Sequence, residues 1–455
     1  MKIVVALGLV LAFGLGLSHL PAPPAATDSG VGSMPAGMES IVVLATTANR
    51  GELEPCGCSQ AQKGGLARRA TLADSIRALG RPVLLLDAGD HTHPAPEWDE
   101  RLNQFQRQAM AQMGYDAITL GELELERGAA YVRAILDSTA VPITLANVRF
   151  RSTGKPVGQP IVIVTRGSIR SAVIGLLAPE LAADSAAAAD FTVDDPVATA
   201  RALVPELRRQ AELVIVLAHL APAAARALPE QVPGIDVVVL GHERNPLAAA
   251  KLGSTVTLTS GERGQWLAYA QLAVPKTGGV ADFTGGVIPL ILSQVRERAD
   301  LATALRELHK SMNEERRAAT LEEERRLEAM RPLPGQDRYL GDQRCARCHA
   351  GIFTQWQSTK HAHAFATLVE KHRDTDPECL SCHVTGFEVA GGFHGPAPFQ
   401  DMRQVQCESC HGMGTQHDMT GKLDPDPGEA ACKRCHTPEM SPEFDFRTYW
   451  PQVAH

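Results

Sequence analysis

Eight of the ten cysteines of this 455-residue chain fall into four copies of one five-residue pattern near its end. Each copy has two cysteines separated by two residues and a histidine directly after the second cysteine. The copies are Cys345-Ala-Arg-Cys348-His349, Cys379-Leu-Ser-Cys382-His383, Cys407-Glu-Ser-Cys410-His411 and Cys432-Lys-Arg-Cys435-His436. Two thiols at this spacing can add to the two vinyl groups of one haem, and the adjoining imidazole can then bind its iron. The pattern therefore predicts four covalently attached c-type haems.

Two other uses of paired cysteines compete with this interpretation. Cysteines two residues apart also bind zinc or form disulfides. Zinc-binding pairs usually place their histidines several residues away, whereas here a histidine follows the second cysteine in all four copies. The haem interpretation is favoured for that reason.

Residues 341–455 contain few long apolar runs and many glycines, prolines and charged residues. Such a composition predicts a weak side-chain core. Four porphyrins would supply large apolar surfaces around which short helices and loops can fold. We therefore expect the haems themselves to form the core and to lie close together, as electron transfer between them requires.

The same residues resemble the tetrahaem cytochromes c of ammonia oxidisers. The shared features are Trp356, the run Ser358-Thr-Lys-His361-Ala-His363-Ala, and a histidine at 417, six residues after the third motif. Because iron in an electron carrier is usually six-coordinate, the resemblance implies a second histidine ligand for each iron. The implied distal ligands are His361, His363, His417 and His455, and His372 and His394 are left as surface residues. An iron that lacks such a ligand would be open to small nitrogen or sulfur compounds.

Upstream of the motifs, short apolar runs alternate with amphipathic segments from residue 41 to about 292. IVVLAT, VLLLDAG, VIVLAHLA and IDVVVLGHE have the length and composition of buried strands, whereas GGLARRATLADSIRALG and residues 101–113 are typical of helices. IVIVTRGSIRSAVIGLL predicts a hairpin that turns at Gly167. The alternation predicts a layered α/β domain with a mixed sheet flanked by helices.

Several strand ends of this domain resemble the metallophosphoesterase domain of the secreted five-prime nucleotidase family. Asp90 stands where that family has the carboxylate that bridges two metal ions, and His219 and His242 match two of its histidines. Glu122 replaces an asparagine ligand. The resemblance thus implies one metal site made of Asp90, Glu122, His219 and His242. A mixed nitrogen and oxygen set of this kind suits one Zn, Mn or Fe ion.

Other positions depart from the pattern of that family. Ala48 and Arg50 replace the two ligands after the first strand, and Arg244 replaces the second histidine of Gly-His-x-His. Leu123 replaces the histidine that protonates the leaving group. Two-metal phosphoester hydrolysis needs these groups, so we expect a degenerate domain without hydrolase activity. A decayed site that binds no metal is the alternative to the single-metal site.

The remaining cysteines, Cys56 and Cys58, follow the end of the first strand. In an exported protein two thiols one residue apart can form a strained disulfide, bind a metal or stay unused. The sequence leaves these alternatives open.

The N-terminus predicts export. Lys2 precedes an apolar run at residues 3–17, and small residues and prolines follow it, which is typical of a secretion signal at residues 1–26. The run is shorter than the roughly 20 residues that span a bilayer. Cleavage near Ala25 or Ala26 is therefore favoured over a retained anchor, and membrane association is expected only if the segment is retained. The predicted location is the periplasm or another extracytoplasmic compartment.

The formal net charge of -8 is spread over both halves of the chain. Because no basic stripe could follow a phosphate backbone, a nucleic acid partner is not expected.

Residues 295–330 contain no glycine or proline and carry dense charge, with Leu301, Leu305 and Leu308 at helical spacing. They predict a long exposed helix that acts as a solvated spacer. A coiled-coil dimer is the alternative, although the apolar spacing is not sustained over several heptads. His309 is expected at the surface.

The predicted organisation is a signal segment (1–26), a degenerate metallophosphoesterase-like domain (39–293), a helical linker (294–334) and a mainly α, loop-rich tetrahaem cytochrome domain (338–455). The predicted function is extracytoplasmic electron transfer, with other cytochromes or a quinol-linked complex as redox partners. One alternative is a redox enzyme that acts on a small nitrogen or sulfur compound at an open haem or at the N-terminal metal or cysteine site. Another is a scaffold whose N-terminal domain only docks a redox partner.

Overall fold

A computed structural model of the chain describes residues 38–56, 62–95, 100–183, 187–327, 337–389, 391–394, 402–421, 428–438 and 440–455. The side chains of residues 56 and 318–327 lie outside this description. The predicted signal segment and Cys58 also lie outside the described residues.

The described strands all lie in the first two thirds of the chain. They are β1 (Met38–Thr46), β2 (Pro55–Cys56), β3 (Lys63–Gly64), β4 (Val83–Asp87), β5 (Ala117–Ile118), β6 (Val148–Phe150), β7 (Val162–Arg166), β8 (Ile169–Leu177), β9 (Phe191–Val193), β10 (Leu213–His219), β11 (Val237–Leu240), β12 (Leu247–Leu252), β13 (Thr255–Thr259), β14 (Trp266–Pro275) and β15 (Asp282–Pro289).

Helices occur between the strands and then alone. They are α1 (Leu66–Arg77), α2 (Glu100–Gln112), α3 (Glu122–Leu125), α4 (Gly128–Ser138), α5 (Pro179–Ala182), α6 (Ala187–Asp190), α7 (Pro196–Gln210), α8 (Pro222–Gln231), α9 (Ala299–Leu327), α10 (Asp342–Ala346), α11 (Ala350–Gln357), α12 (Ala364–Glu370), α13 (Pro377–His383), α14 (Cys407–His411), α15 (Thr415–Thr420), α16 (Gly428–Lys433) and α17 (Phe446–Tyr449). Short 3₁₀ turns occupy Lys360–His363 and Trp450–Gln452.

The larger strands form two mixed sheets, where the sequence predicted one. The first has the order β15-β14-β1-β4-β5, and the second has the order β12-β13-β11-β10-β8-β7. In the first sheet β1 runs parallel to β4 and antiparallel to β14. In the second, β8, β10 and β11 run parallel. The predicted hairpin at Gly167 is confirmed, because β7 and β8 pair antiparallel around it.

The two sheets face each other across a shared apolar core. In β1, Ile41 and Val43 belong to this inner cluster together with Ile215 and Val239 of the second sheet. Alternate residues such as Leu44 face helices on the other side. A strand buried on both faces reads as a continuous apolar run, which is why IVVLAT shows no polar alternation.

Helices cover both outer faces. Side chains from α1, α2 and α4 pack on the first sheet, and side chains from α7 and α8 pack on the second. The domain therefore has four layers in the order helices, sheet, sheet, helices. The carboxyl ends of β1, β4, β10 and β11 meet at one edge, since Ala88 after β4 contacts His219 at the end of β10.

Helix α9 differs from the predicted solvated spacer. Leu301, Leu305 and Met312 are buried in the same apolar cluster as α1 and α2, and His309 is only 7% exposed. The predictions of an exposed helix and a surface histidine were therefore wrong for the first half of α9. The leucines repeat at i, i+4 and i+7, so they form one apolar stripe that the first domain covers.

The C-terminal residues form short helices joined by loops around a small side-chain core. Its buried members are Phe365, Leu368, Leu380, Val384, Phe393 and Met402. Within the described part of the chain, no helix is both long and apolar enough to cross a membrane.

Candidate haem and metal sites

Short helices present the four Cys-x-x-Cys-His motifs. The second motif ends α13 and the third forms the whole of α14, whereas the first and fourth begin in α10 and α16 and continue through one further turn. That turn is helical, because the amide of His349 donates to the carbonyl oxygen of Cys345 and the amide of His436 to that of Cys432. In such a turn residues i, i+3 and i+4 share one face. Both thiols and the imidazole of a motif can therefore reach one porphyrin.

Three of the four motif histidines face another histidine across a narrow gap. The ring centroids of His349 and His417 are 5.9 Å apart, and those of His411 and His455 are 5.7 Å apart. The rings of His361 and His436 are separated by 6.3 Å. Each partner comes from a distant part of the sequence, so these pairs bring separate segments of the chain to the first, third and fourth motifs.

His383 has a different environment. Its Nδ1 lies 2.7 Å from the carbonyl oxygen of Ala364, which fixes the ring and leaves Nε2 free to bind iron. No histidine ring among the described residues contacts that of His383. The predicted distal ligand His363 is exposed, and its Nε2 lies 3.1 Å from the carbonyl oxygen of Gln357. The structure therefore brings three of the four predicted distal histidines to a motif histidine and leaves His363 apart.

A second cluster lies at the strand-end edge of the N-terminal domain. Ligand atoms of Glu122, His219 and His242 all lie within 4.8 Å of one another. His219 Nε2 is 2.5 Å from Glu122 Oε2, and His242 Nε2 is 3.0 Å from Glu122 Oε1. Asp90 Oδ2 is 3.6 Å from His219 Nε2. Glu122, His219 and His242 thus form one candidate ligand cluster, and the predicted ligand Asp90 lies beside it, against His219.

The surroundings of this cluster fit a cation. Asp90 Oδ2 is buried without a hydrogen-bond partner, while its Oδ1 accepts the amide proton of Leu123. His219 Nδ1 lies 2.7 Å from the carbonyl oxygen of Ala88. That contact sets the tautomer that presents Nε2 to a metal, the usual second-shell arrangement of ligating histidines. An orphaned buried carboxylate oxygen next to an oriented imidazole is the arrangement that a metal ion would complete.

The carboxylates and imidazoles of the cluster shift each other's pKa values. Burial raises the pKa of Asp90 to about 6. Although burial opposes ionisation of Glu122, hydrogen bonds from His219 and His242 hold its pKa well below the ordinary value. Burial alone would lower the pKa of His219, but the carboxylates of Asp90 and Glu122 outweigh burial and raise it. A divalent cation bound here would replace the imidazole protons as the counter-charge.

The backbone around the cluster is tightly specified. A Cβ atom on Gly121 would lie 2.1 Å from Asp90 Oδ1 and 2.7 Å from His219 Nε2, so only glycine fits there. Asp90 itself has a φ of +56°, in the left-handed region that non-glycine residues rarely occupy. Backbone strain of this kind is concentrated at functional sites, where the surrounding structure holds the strained residue in place.

The positions that depart from the nucleotidase pattern lie at the same edge. The amide of Ala48 donates to the carbonyl oxygen of Gly89, and that of Arg50 donates to the carbonyl oxygen of Asp90. Arg244 is exposed. Leu123 is buried directly beside Glu122.

Sequence reasoning missed Glu124, which positions this site. Its fully buried carboxylate accepts amide protons from Asp90, Thr92 and Gly121. It is the third residue of α3, where its carboxylate accepts the amide proton of the N-cap residue Gly121, which is one half of a capping box. The spacing Gly121-Glu-Leu-Glu124 carried that signal.

A four-layer α/β domain with histidines and carboxylates gathered at one strand-end edge defines the metallophosphoesterase class of folds, and the predicted fold class is confirmed. The 5'-nucleotidase precursor of Thermus thermophilus superposes with a TM-score of 0.54 at 22% identity, over 58% of this chain and 57% of that chain. The calcineurin-like phosphoesterase YfkN of Bacillus subtilis gives a TM-score of 0.50 at 21% identity, over 59% of this chain and 95% of that chain.

Sequence comparison gives the same resemblance. A 5'-nucleotidase of Vibrio parahaemolyticus is 31% identical over 207 residues, covering 40% of this chain and 36% of that protein. The protein UshA of Yersinia enterocolitica is 26% identical over 276 residues, covering 52% of this chain and 50% of that protein. The chain thus spans half or less of the length of these two relatives.

The C-terminal region (residues 338–455) has a separate relationship. Residues 344–412 match the family described as cytochrome c554 and c-prime. This match covers the first three motifs and supports haem binding and electron transfer by this region. The predicted cytochrome-like and nucleotidase-like halves are both confirmed at this level.

Proposed function

We propose that the chain carries electrons outside the cytoplasm through four covalently attached haems. The carrying observation is the pairing of His349 with His417, His436 with His361, and His411 with His455. A metal–nitrogen bond of about 2 Å on each side, with about 1 Å more to each ring centre, separates two axial imidazoles by about 6 Å. The centroid distances of 5.7–6.3 Å match that requirement. Bis-histidine iron is suited to electron transfer because no position is open to substrate.

The number of haems is open to direct measurement. Pyridine haemochrome quantitation and intact mass on protein matured with a competent haem-attachment system should give four haems per chain. Two or fewer would contradict the proposal. The N-terminal secretion pattern supports export, and we expect other cytochromes or a quinol-linked complex as redox partners.

The N-terminal domain, in this proposal, does not hydrolyse phosphoesters. Ala48, Arg50 and Arg244 offer no metal-ligating side chain, and Leu123 cannot act as the general acid. Purified protein with added Mn²⁺ or Zn²⁺ should therefore show no turnover of AMP or UDP-sugars. Turnover within the common range of about 1–1000 per second, abolished by Asp90→Ala, would refute this part.

A single divalent ion fits the remaining set of Asp90, Glu122, His219 and His242. Two imidazoles with carboxylates suit Fe, Mn or Zn, and such an ion supplies a Lewis acid or, for Fe and Mn, a one-electron redox centre. The chain's contribution is to orient His219 through Ala88 and to keep Asp90 and His219 away from water. Metal analysis should find close to one non-haem metal per chain, and Glu122→Gln should lower it, while Glu126→Gln, a neighbouring acidic position, should not.

A second candidate function rests on His383. Because no described histidine ring faces it, the haem of the second motif is the one with room for an exogenous ligand. A redox enzyme for a small nitrogen or sulfur compound would use that position. The EPR spectrum should then show one high-spin haem among low-spin haems, and cyanide or nitric oxide should convert only that one. Four low-spin haems would leave simple electron transfer and would mean that the haem of the second motif also has a distal ligand.

A further inference from the structure

The C-terminal region contacts the N-terminal domain and helix α9 through residues 373–378. Arg373 Nη1 lies 3.2 Å from Glu54 Oε2, and His93 Nε2 lies 3.3 Å from Glu378 Oε1. This ion pair and this histidine–carboxylate contact join loops of the N-terminal domain to residues just before the second haem motif. Each of these contacts has one partner in the N-terminal domain and one in the residues that precede Cys379.

Helix α9 holds the same stretch from a second direction. Asn313 Nδ2 donates to Asp374 Oδ1 at 2.8 Å, and Thr375 Oγ1 donates to Asn313 Oδ1 at 2.5 Å. Arg317 also pairs with Asp374. Asp374 is only 2% exposed and Asn313 only 4%, so these hydrogen bonds are sheltered from water and stronger than surface pairs.

The stretch is rigidly connected to the second haem motif. Asp376 caps α13 by accepting the amide proton of Glu378, and Arg373 donates twice to Asp376 at 3.1 and 2.7 Å. Glu378 directly precedes Cys379, the first haem-attaching thiol of α13. Docking of residues 373–378 therefore places the attachment helix itself against the N-terminal domain.

The N-terminal side of the contact belongs to the loops that carry the metal cluster. Glu54 follows β1, and His93 lies three residues after Asp90 in the loop that follows β4. These loops touch, since a Cβ on Gly51 would meet His93 Cβ at 2.6 Å. Three residues span at most about 11 Å even when fully extended. The second haem motif thus docks beside the candidate metal centre, at the same sheet edge.

The ligand set of that centre suits redox chemistry. Two histidines and a carboxylate with open positions are the arrangement that non-haem Fe(II) favours, and here they are His219, His242 and Glu122. Zinc would find the same donors, but it has no accessible second oxidation state.

We propose that the haem attached at Cys379 and Cys382 is the junction through which the cytochrome domain exchanges electrons with an iron ion at the N-terminal cluster. This rests on the proposed function, because it requires haem in one half and metal in the other. In each transfer one electron moves and no bond forms or breaks. Haem held by Cys379, Cys382 and His383 and iron held by Glu122, His219 and His242 would supply the two one-electron centres, one oxidised by one electron as the other is reduced by one. Glu54, Arg373 and Glu378 are positioning residues that fix the second haem motif next to the metal cluster.

The test uses the full-length protein with its haems, loaded with iron at the N-terminal site. After flash reduction of the haems, freeze-quench EPR follows loss of the non-haem Fe(III) signal. The variant is Glu54→Gln with Glu378→Gln, which removes one interface carboxylate from each side. The matched control is Glu52→Gln with Glu429→Gln, because Glu52 pairs with Arg263 and Glu429 with Lys433, each within its own half.

We expect transfer to slow by roughly tenfold or more in the interface variant, as for loss of a specific charge pair in a docked complex, and to keep its rate in the control. Equal rates in the wild type and the interface variant would overturn the proposal, as would an Fe(III) signal that haem reduction leaves unchanged. Haem and iron contents measured on the same samples distinguish a failure of the junction proposal from a failure of the proposed function. If haem fails to bind, the four-haem proposal is wrong, and if iron fails to bind, the single-metal site is wrong, in either case before the kinetics begin.

Discussion

The two halves of this chain reach a folded state by different means. The N-terminal domain buries three aliphatic clusters within and on either side of its two sheets. Among the described residues of the C-terminal region, one small cluster has six buried apolar side chains, and the eight cysteines are partly or fully exposed. A side-chain core of that size supplies little stability for more than 100 residues. The comparison supports the expectation that haems supply the core of the C-terminal region, whereas side chains supply the core of the N-terminal domain.

Removing one haem should have the largest effect, and only on one side. In Cys407→Ser with Cys410→Ser, one haem is lost and residues 338–455 should become open to proteolysis, because large apolar surface leaves their core. The N-terminal domain should stay resistant. Haem quantitation and limited proteolysis with mass spectrometry measure both. Ser381→Ala, which changes a residue between two attachment cysteines, is the control, and a protected C-terminal half in the double variant would refute the contrast.

A core substitution in the other half should show the reverse pattern. Leu217 is fully buried between the two sheets, so Leu217→Ala should cost about 2–5 kcal/mol of unfolding free energy for the N-terminal domain. Haem stoichiometry should stay at four. Leu79→Ala, at a residue that is 66% exposed, should change stability by less than about 0.5 kcal/mol. Loss of haem in Leu217→Ala would show that the halves do not fold independently.

Distal ligation can be changed without touching attachment. His417→Ala should leave all four haems bound, since attachment depends on the thiols, but should convert the haem of His349 from low-spin to high-spin or water-ligated iron. Its potential should move as well. The same substitution at His394, which lies in none of the three ring pairs, should leave the spectrum unchanged. An unchanged spin state in His417→Ala would contradict the assignment of His417 as a distal ligand. It would not affect the prediction of four haems.

The smallest effect concerns the junction between the halves. Burial lowers the pKa of His309, with Arg373 and Arg316 adding to the shift and Glu54 and Asp376 opposing it. Because the unfolded chain then binds this proton more tightly, stability should fall as pH drops below 6.5, by at most about 1.4 kcal/mol per pH unit. Urea unfolding at pH 7 and pH 5 measures it. His309→Gln should flatten this slope, and substitution of exposed His372 should not; equal slopes in all three proteins would contradict the assignment.

Much of the site chemistry was readable from residue types and short spacings. The four motifs, Asp90 and the histidines at 219 and 242 stand out because each is tied to a local pattern of a few residues. The layered α/β class follows from alternating apolar and amphipathic segments. The sequence predicted helix α9 but not its burial. A stripe of leucines among charged residues indicates an amphipathic helix, but it does not show which surface packs against the stripe.

The sequence by itself predicted which side chains would bind haem or metal, because ligand chemistry and five-residue spacing are local properties. Only the tertiary structure decided which of them meet. His417 lies six residues after the third motif yet faces the first, and His361 follows the first motif yet faces the fourth. The docking of Arg373 on Glu54 joins residues 319 positions apart. Such pairings depend on how loops fold back over one another, and no local spacing encodes that path.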